Sequence, residues 1–293
     1  MTRLSKLAGA LVIAAAAGLF TTSAATAADS VLDRVAETGE FRIGYAPGSP
    51  PLSFDDGDGE PAGYSIELCR HIGRTLKRQL GLEDLAFSYV PLVSMEDRLG
   101  AVEAGRVDIE CGATTVTLSR RERVDFTLMT FITGSAVLSR SGDPIPGVSD
   151  LGDKRIAVMR DTTTEAVLRD FAAVNETGLT LALVETHQQG MKLLNEGEVD
   201  GFASDRAMLI GQVFTDGNAR NEYEMTRGVL SFEPYALVVP RGDTRFRLAA
   251  DRALAELYRS ARIRRLYQDW FGQYGEPLSP IVEAMYQFQA VGD

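Results

Sequence analysis

Histidine and cysteine are almost missing from this chain, with two of each in 293 residues. A transition-metal site needs several imidazole or thiolate ligands at short spacing, and His71, His187, Cys69 and Cys111 form no such group. No metal and no other cofactor is expected. Basic residues are also in deficit: 30 Lys and Arg stand against 41 Asp and Glu, a net charge of −11. That balance repels phosphate backbones and excludes nucleic acid as an expected partner. Long apolar runs are absent apart from residues 7–20, which fall short of the roughly 20 residues needed to cross a bilayer. Low-complexity segments and short tandem repeats are absent too.

The one apolar run has another use. Arg3 and Lys6 precede it without an acid, and Ala25-Thr26-Ala27 follows with small residues at the right spacing. Residues 1–27 read as a secretory signal peptide cut after Ala27. Without Arg3 and Lys6 the balance is 28 basic to 41 acidic side chains, net −13. About 265 residues remain for an exported, periplasmic protein, enough for two ordinary domains. In an oxidising compartment Cys69 and Cys111 are compatible with one disulfide or with two buried thiols. Sequence does not place their Cα atoms, so both alternatives stay open.

Beyond residue 28 the chain alternates β-like runs with amphipathic helices. "FRIGYA", "LAFSYVPL" and "VDIECG" are strands; "SIELCRHIGRTLKRQL" carries Ile66, Cys69, Ile72 and Leu76 at helical spacing. After Phe126 the pattern restarts through "RIAVM", "TTTEAVLRDFAAV", "LTLALVE", "QQGMKLLNEG" and "VDGFAS". The strand "YALVVP" and a long helical stretch follow. This order predicts an α/β fold of two units, each a mostly parallel sheet flanked by helices, facing each other across a cleft. Ligands of such sheets bind at the carboxyl ends of strands.

Three polar clusters lie at such ends. Thr115 and Arg120 follow "VDIECG" and supply a planar guanidinium and a hydroxyl, the donors a carboxylate needs. Alone, this segment reads equally as a solvated basic turn. Thr162, Thr163 and Thr164 open a helix, where free N–H groups and the dipole favour an anion; helix capping alone also explains them. Asp205 is placed to pair with an ammonium or to cap the next helix. Together the clusters match an α-amino acid: Arg120 and the helix start for the carboxylate, Asp205 for the ammonium.

These segments also resemble a known family. "FRIGYAPGSPPLSF", "RLGAVEAGRVDIECGATTVTLSRRERVDFT", "DTTTEAVL", "LNEGEVDGFASDRAML" and "RIRRLYQDWFG" follow one another as in the periplasmic solute-binding proteins of polar amino acid ABC transporters. "PLSPIVEAMYQFQ" is most similar to the glutamate/aspartate-binding branch. The resemblance implies a two-lobed Venus-flytrap fold with lobe one at 28–131 plus 236–293 and lobe two at 132–235. It implies a free amino acid as ligand, a membrane permease as partner and a monomer. It places Arg120 on the α-carboxylate, with Thr115 and Thr163 assisting, and Asp205 on the α-ammonium. Arg98 and His187 match contacts to the distal carboxylate. Four positions depart from the branch: Ala46 replaces an Arg, Met95 and Ala113 replace Ser, and Ser49 stands where a stacking aromatic is usual. Arg160 is a candidate replacement for the missing charge. Asp161 stands at a usual Gly; it is also the acid on which an alternative reading rests, a dehydratase of the cyclohexadienyl type.

Overall fold

The computed structural model describes residues 30–215 and 220–292. The signal peptide expected at 1–27 lies outside the described residues. The chain opens with α1 (Val31–Thr38) and β1 (Glu40–Tyr45). A small antiparallel sheet of β2 (Gly48–Ser49), β3 (Ser53–Asp55) and β4 (Pro61–Ala62) follows. Then come α2 (Tyr64–Gln79), β5 (Ala86–Pro91), α3 (Met95–Glu103), β6 (Ile109–Glu110) and α4 (Leu118–Arg121). The long strand β7 (Asp125–Arg140) leads to β8 (Arg155–Met159), α5 (Thr163–Asn175), β9 (Thr180–Val184), α6 (His187–Asn195), β10 (Gly201–Asp205) and α7 (Arg206–Thr215). The short β11 (Tyr223–Met225) and β12 (Phe232–Val239) precede α8 (Thr244–Arg259), α9 (Arg262–Phe271) and α10 (Pro280–Gln289).

Strands run in the order β5-β1-β6-β12-β7-β10-β8-β9. β1 pairs in parallel with β5 and β6, and β8 pairs in parallel with β9 and β10. β7 joins these two parallel groups. Its first part, from Asp125 to Gly134, pairs with β12; its second part, from Ser135 onward, pairs with β10 and β11. A single β7 carries the chain from one unit to the other and β12 brings it back.

The first unit packs its sheet against α2, α8, α9 and α10. Ile66, Cys69, Ile72 and Leu76 are fully buried there, the face expected from their spacing. The second unit buries Leu138, Ala157, Leu194 and Phe202 on one sheet face and Val137, Ile156, Val158 and Leu168 on the other. Cys69 and Cys111 are bonded and lie 42 positions apart in sequence. Closing a loop of that length stabilises by about 2–4 kcal/mol in the chain-entropy account. The bridge anchors the segment that follows β6, which carries Ala113 and Thr115.

The two units touch. Gln212 Nε2 of α7 donates to the Gly48 carbonyl at 3.0 Å. A Cβ added at Gly211 would lie 2.0 Å from the Pro50 carbonyl oxygen, so α7 meets the loop after β2 backbone to backbone.

Candidate functional site

A polar cavity of about 40 Å³ lies between the units. It is lined by Met95, Arg98, Ala113, Thr115, Arg120, Thr162, Thr163, His187 and Asp205, all singled out by sequence, together with Ser49, Met159, Thr164, Ser204 and Met208. Local structure explains how the side chains converge. Thr117 caps α4 by accepting from the Arg120 N–H at 3.1 Å. That single turn aims Arg120 inward at 8% exposure, while Arg121 stays exposed. Arg120 Nη1 donates to the Thr115 carbonyl at 2.7 Å, leaving its other donors for the cavity. Thr162 caps α5 by accepting from the Glu165 N–H at 3.2 Å, so the free N–H groups of the first turn face the cleft.

Two expectations need correction. Arg160 does not line the cavity; it is exposed and pairs with Glu185 at 3.1 Å. It sits at the end of β8, where the chain turns outward before α5. Asp161 is exposed and outside the cavity as well, so the dehydratase reading loses its acid. Its φ is +61°, the left-handed region that Gly enters freely and Asp tolerates. That backbone explains an Asp where Gly is usual.

The feature missed in sequence is Glu233, on β12 and 1% exposed. Its Oε2 accepts from Thr115 Oγ1 and from Thr163 Oγ1, both at 2.8 Å, and its Oε1 accepts from Ser231. A hydroxyl has one proton. With those protons given to Glu233, Thr115 and Thr163 keep only acceptor lone pairs for a ligand. Their side chains therefore suit a cation better than the carboxylate assigned to them from sequence. The signal was present: "SFEPYALVV" puts one acid in an otherwise buried strand.

Asp205 ends β10. It accepts from the Tyr235 hydroxyl and from Thr164 Oγ1 at 3.4 Å. It is half-buried and lines the cavity, and burial, reinforced by the negative charge of Glu233, pushes its carboxyl up to about 7. The sign follows from the ordinary value of 3.8: this group favours the ligand-free fold below pH 3.8 and withdraws that support as pH rises through 7. A bound ammonium reverses the preference by holding the charged form. Amino acid binding at pH 7 should therefore release roughly half a proton from Asp205. Calorimetry in buffers of different ionisation enthalpy measures this; no proton release between pH 6 and 7 would remove Asp205 from the ammonium contact.

At the other end of the cavity, Arg98 of α3 is 5% exposed. Its Nη2 reaches Ser49 Oγ at 3.5 Å, and its Nε lies 3.9 Å from Glu110 Oε1. Arg98 Nε and Glu110 Oε1 both lack a hydrogen-bond partner. Burial pushes the Glu110 carboxyl up, against the pull of Arg98 and the Thr114 hydroxyl. Glu110 also explains Gly112, where an added Cβ would lie 2.2 Å from Glu110 Oε1. His187, the first residue of α6, meets Ser204 Oγ at 3.2 Å. Burial, with Arg98 adding to it, pushes the imidazole down to about 4. It is neutral at pH 7, so charge discrimination at this end falls to Arg98.

Among the described residues no group of acids, histidines or cysteines is arranged to hold a metal, and no helix is long and apolar enough to cross a membrane. Two α/β lobes, two crossing strands and a buried polar cavity between them define a cleft-type ligand-binding protein. Residues 41–273 match the bacterial extracellular solute-binding proteins, family 3, and the chain belongs to that family. It is 30% identical to the L-glutamate/L-aspartate-binding protein of Pseudomonas aeruginosa over 250 residues, covering 85% of this chain and 81% of that one. It is 27% identical to the glutamate/aspartate import solute-binding protein of Escherichia coli, covering 89% and 86%. Among solved structures, an ancestral arginine-binding protein bound to arginine aligns with a TM-score of 0.71 at 25% identity, covering 80% of this chain and 99% of that one.

Proposed function

We propose that this protein is the periplasmic substrate-binding component of an amino acid ABC importer and carries a polar α-amino acid, acidic ones first, to a membrane permease. It acts as a monomer and performs no catalysis. Lobe one is 28–131 plus 236–293 and lobe two is 132–235. The observation that carries the reading is the pair of opposite charges lining one cavity: Arg120 from the first lobe and Asp205 from the second. The carboxylate goes to Arg120 and the N–H groups that open α5. The ammonium goes to Asp205, with the Thr115 and Thr163 oxygens as further acceptors. Closure of the lobes assembles both halves at once.

Arg98 sets the preference at the side-chain end. Ala46, Met95 and Ala113 bring no donor there, so glutamate and aspartate are held by fewer groups than in the resembling branch, and glutamine is tolerated. The competition series is glutamate, aspartate, glutamine, leucine and lysine against wild type and Arg98→Ala. Wild type should rank glutamate above glutamine with micromolar affinity, on the order of 8 kcal/mol. Arg98→Ala should erase that preference, because a guanidinium separates carboxylate from amide by charge. A wild type that ignores glutamate and aspartate but takes leucine or lysine would reject the acidic preference.

A further inference from the structure

The cavity that holds Arg120 and Asp205 is tight. About 40 Å³ corresponds to a few water-sized positions at roughly 10–15 Å³ each. That suits an α-amino acid head group and little beyond it. The larger space lies beside it. A second cavity of about 290 Å³ is walled by Ala46, Asp55, Val93, Glu185, Thr186 and Gln188. Ser49, Arg98, Met159 and His187 line both cavities, which adjoin there. Ala46 is 1% exposed and has no side chain long enough to fill this space. Arg98, between the two cavities, is a buried guanidinium whose Nε faces Glu110 Oε1 at 3.9 Å and whose Nη2 makes one long contact, 3.5 Å to Ser49 Oγ. A buried donor so weakly paired is costly, and a ligand oxygen on Nη2 relieves it.

We propose that the cleft also admits α-amino acids with a longer side chain, which passes Arg98 and His187 and ends in the second cavity. The class this selects is the γ-amides of glutamate: an α-amino acid head, a carbonyl that accepts from Arg98, and a substituent on the amide nitrogen beyond it. The proposal rests on the amino acid reading above. The far end sets the character of the substituent. Glu185 is paired with Arg160, and Asp55 accepts from the Tyr45 hydroxyl at 2.8 Å, so a carboxylate faces the tail. A neutral or cationic tail fits there and a second anion does not. Asp55, Glu185 and Gln188 are exposed, and Val93 is 48% exposed, so the cavity opens to solvent and sets no sharp length limit.

The test is calorimetry on the protein with glutamate, glutamine, the N-ethyl and N-(2-aminoethyl) γ-amides of glutamate, and γ-glutamylglycine. The two alkyl amides should bind at least as tightly as glutamine, and γ-glutamylglycine about tenfold more weakly than the aminoethyl amide. Val93→Trp, at an exposed rim position that leaves the core untouched, should weaken the alkyl amides about tenfold and leave glutamine unchanged. If glutamate or glutamine binds and N-ethylation costs tenfold or more, the second cavity is no part of the ligand site. If no compound binds, the amino acid reading falls and this inference falls with it.

Discussion

Arg120→Ala should abolish measurable amino acid binding while leaving a cooperatively folded protein. Arg120 is 8% exposed, and burial and the nearby charge of Arg98 both press its guanidinium toward the neutral form. It stays charged because a guanidinium does not lose its proton in a protein. An arginine held dry with donors to spare is arranged to receive an anion. Removing one partner of such a buried pair costs about 2–5 kcal/mol, roughly 30- to 5,000-fold in affinity. The loss compounds here, because the negative charge of Glu233 remains nearby and repels a carboxylate. The fold keeps most of its support. The mutant loses the bond from Nη1 to the Thr115 carbonyl, a single hydrogen bond in the first lobe. Arg120→Lys should recover little, since a point charge cannot replace the planar fork. Calorimetry on the folded mutant is the measurement, with circular dichroism to establish the fold. Affinity within twofold of wild type would take Arg120 out of the site.

Asp205→Asn should change which ligands bind as well as how tightly. An asparagine still accepts from Tyr235, so the local geometry is retained. The charge that would hold an ammonium is gone. L-Glutamate should weaken by about 2–5 kcal/mol. The matching 2-hydroxy acid has no cation and should weaken far less. Proton release on binding should vanish in the same mutant. Equal weakening of the amino and hydroxy acids would mean that Asp205 supports the fold and not the ligand.

The fold was legible because periodicity carried it. Alternating strands and helices with buried stripes such as Ile66, Ile72 and Leu76 specify two α/β units, and strand ends point to the cleft. The continuity of β7 was hidden, because Gly134 and the run of small residues after it weaken the strand signal where pairing passes from β12 to β10. Site residues that follow a strand or open a helix were also legible, since their backbone setting already names a chemistry: Arg120, Thr163 and Asp205 are of this kind. Glu233 was not, because its role depends on two hydroxyls 118 and 70 positions away. Arg160 was misjudged for the same kind of reason. Adjacency to a helix start says nothing about direction, and the left-handed turn at Asp161 separates Arg160 from the cavity. The disulfide was undecided for want of a distance, and the fold supplies it by bringing the two Cα atoms to 6.4 Å.

The central claim is that an α-amino acid lies in the cleft with its carboxylate on Arg120 and its ammonium on Asp205. A crystal structure of the protein grown with L-glutamate tests it in one measurement. The account predicts density in the cavity, with the α-carboxylate within hydrogen-bond reach of the Arg120 guanidinium and the N–H groups that open α5. The α-ammonium should lie within reach of Asp205 and the Thr115 hydroxyl oxygen. A ligand bound with its head group reversed toward Arg98, or seated outside this cavity, would contradict the account.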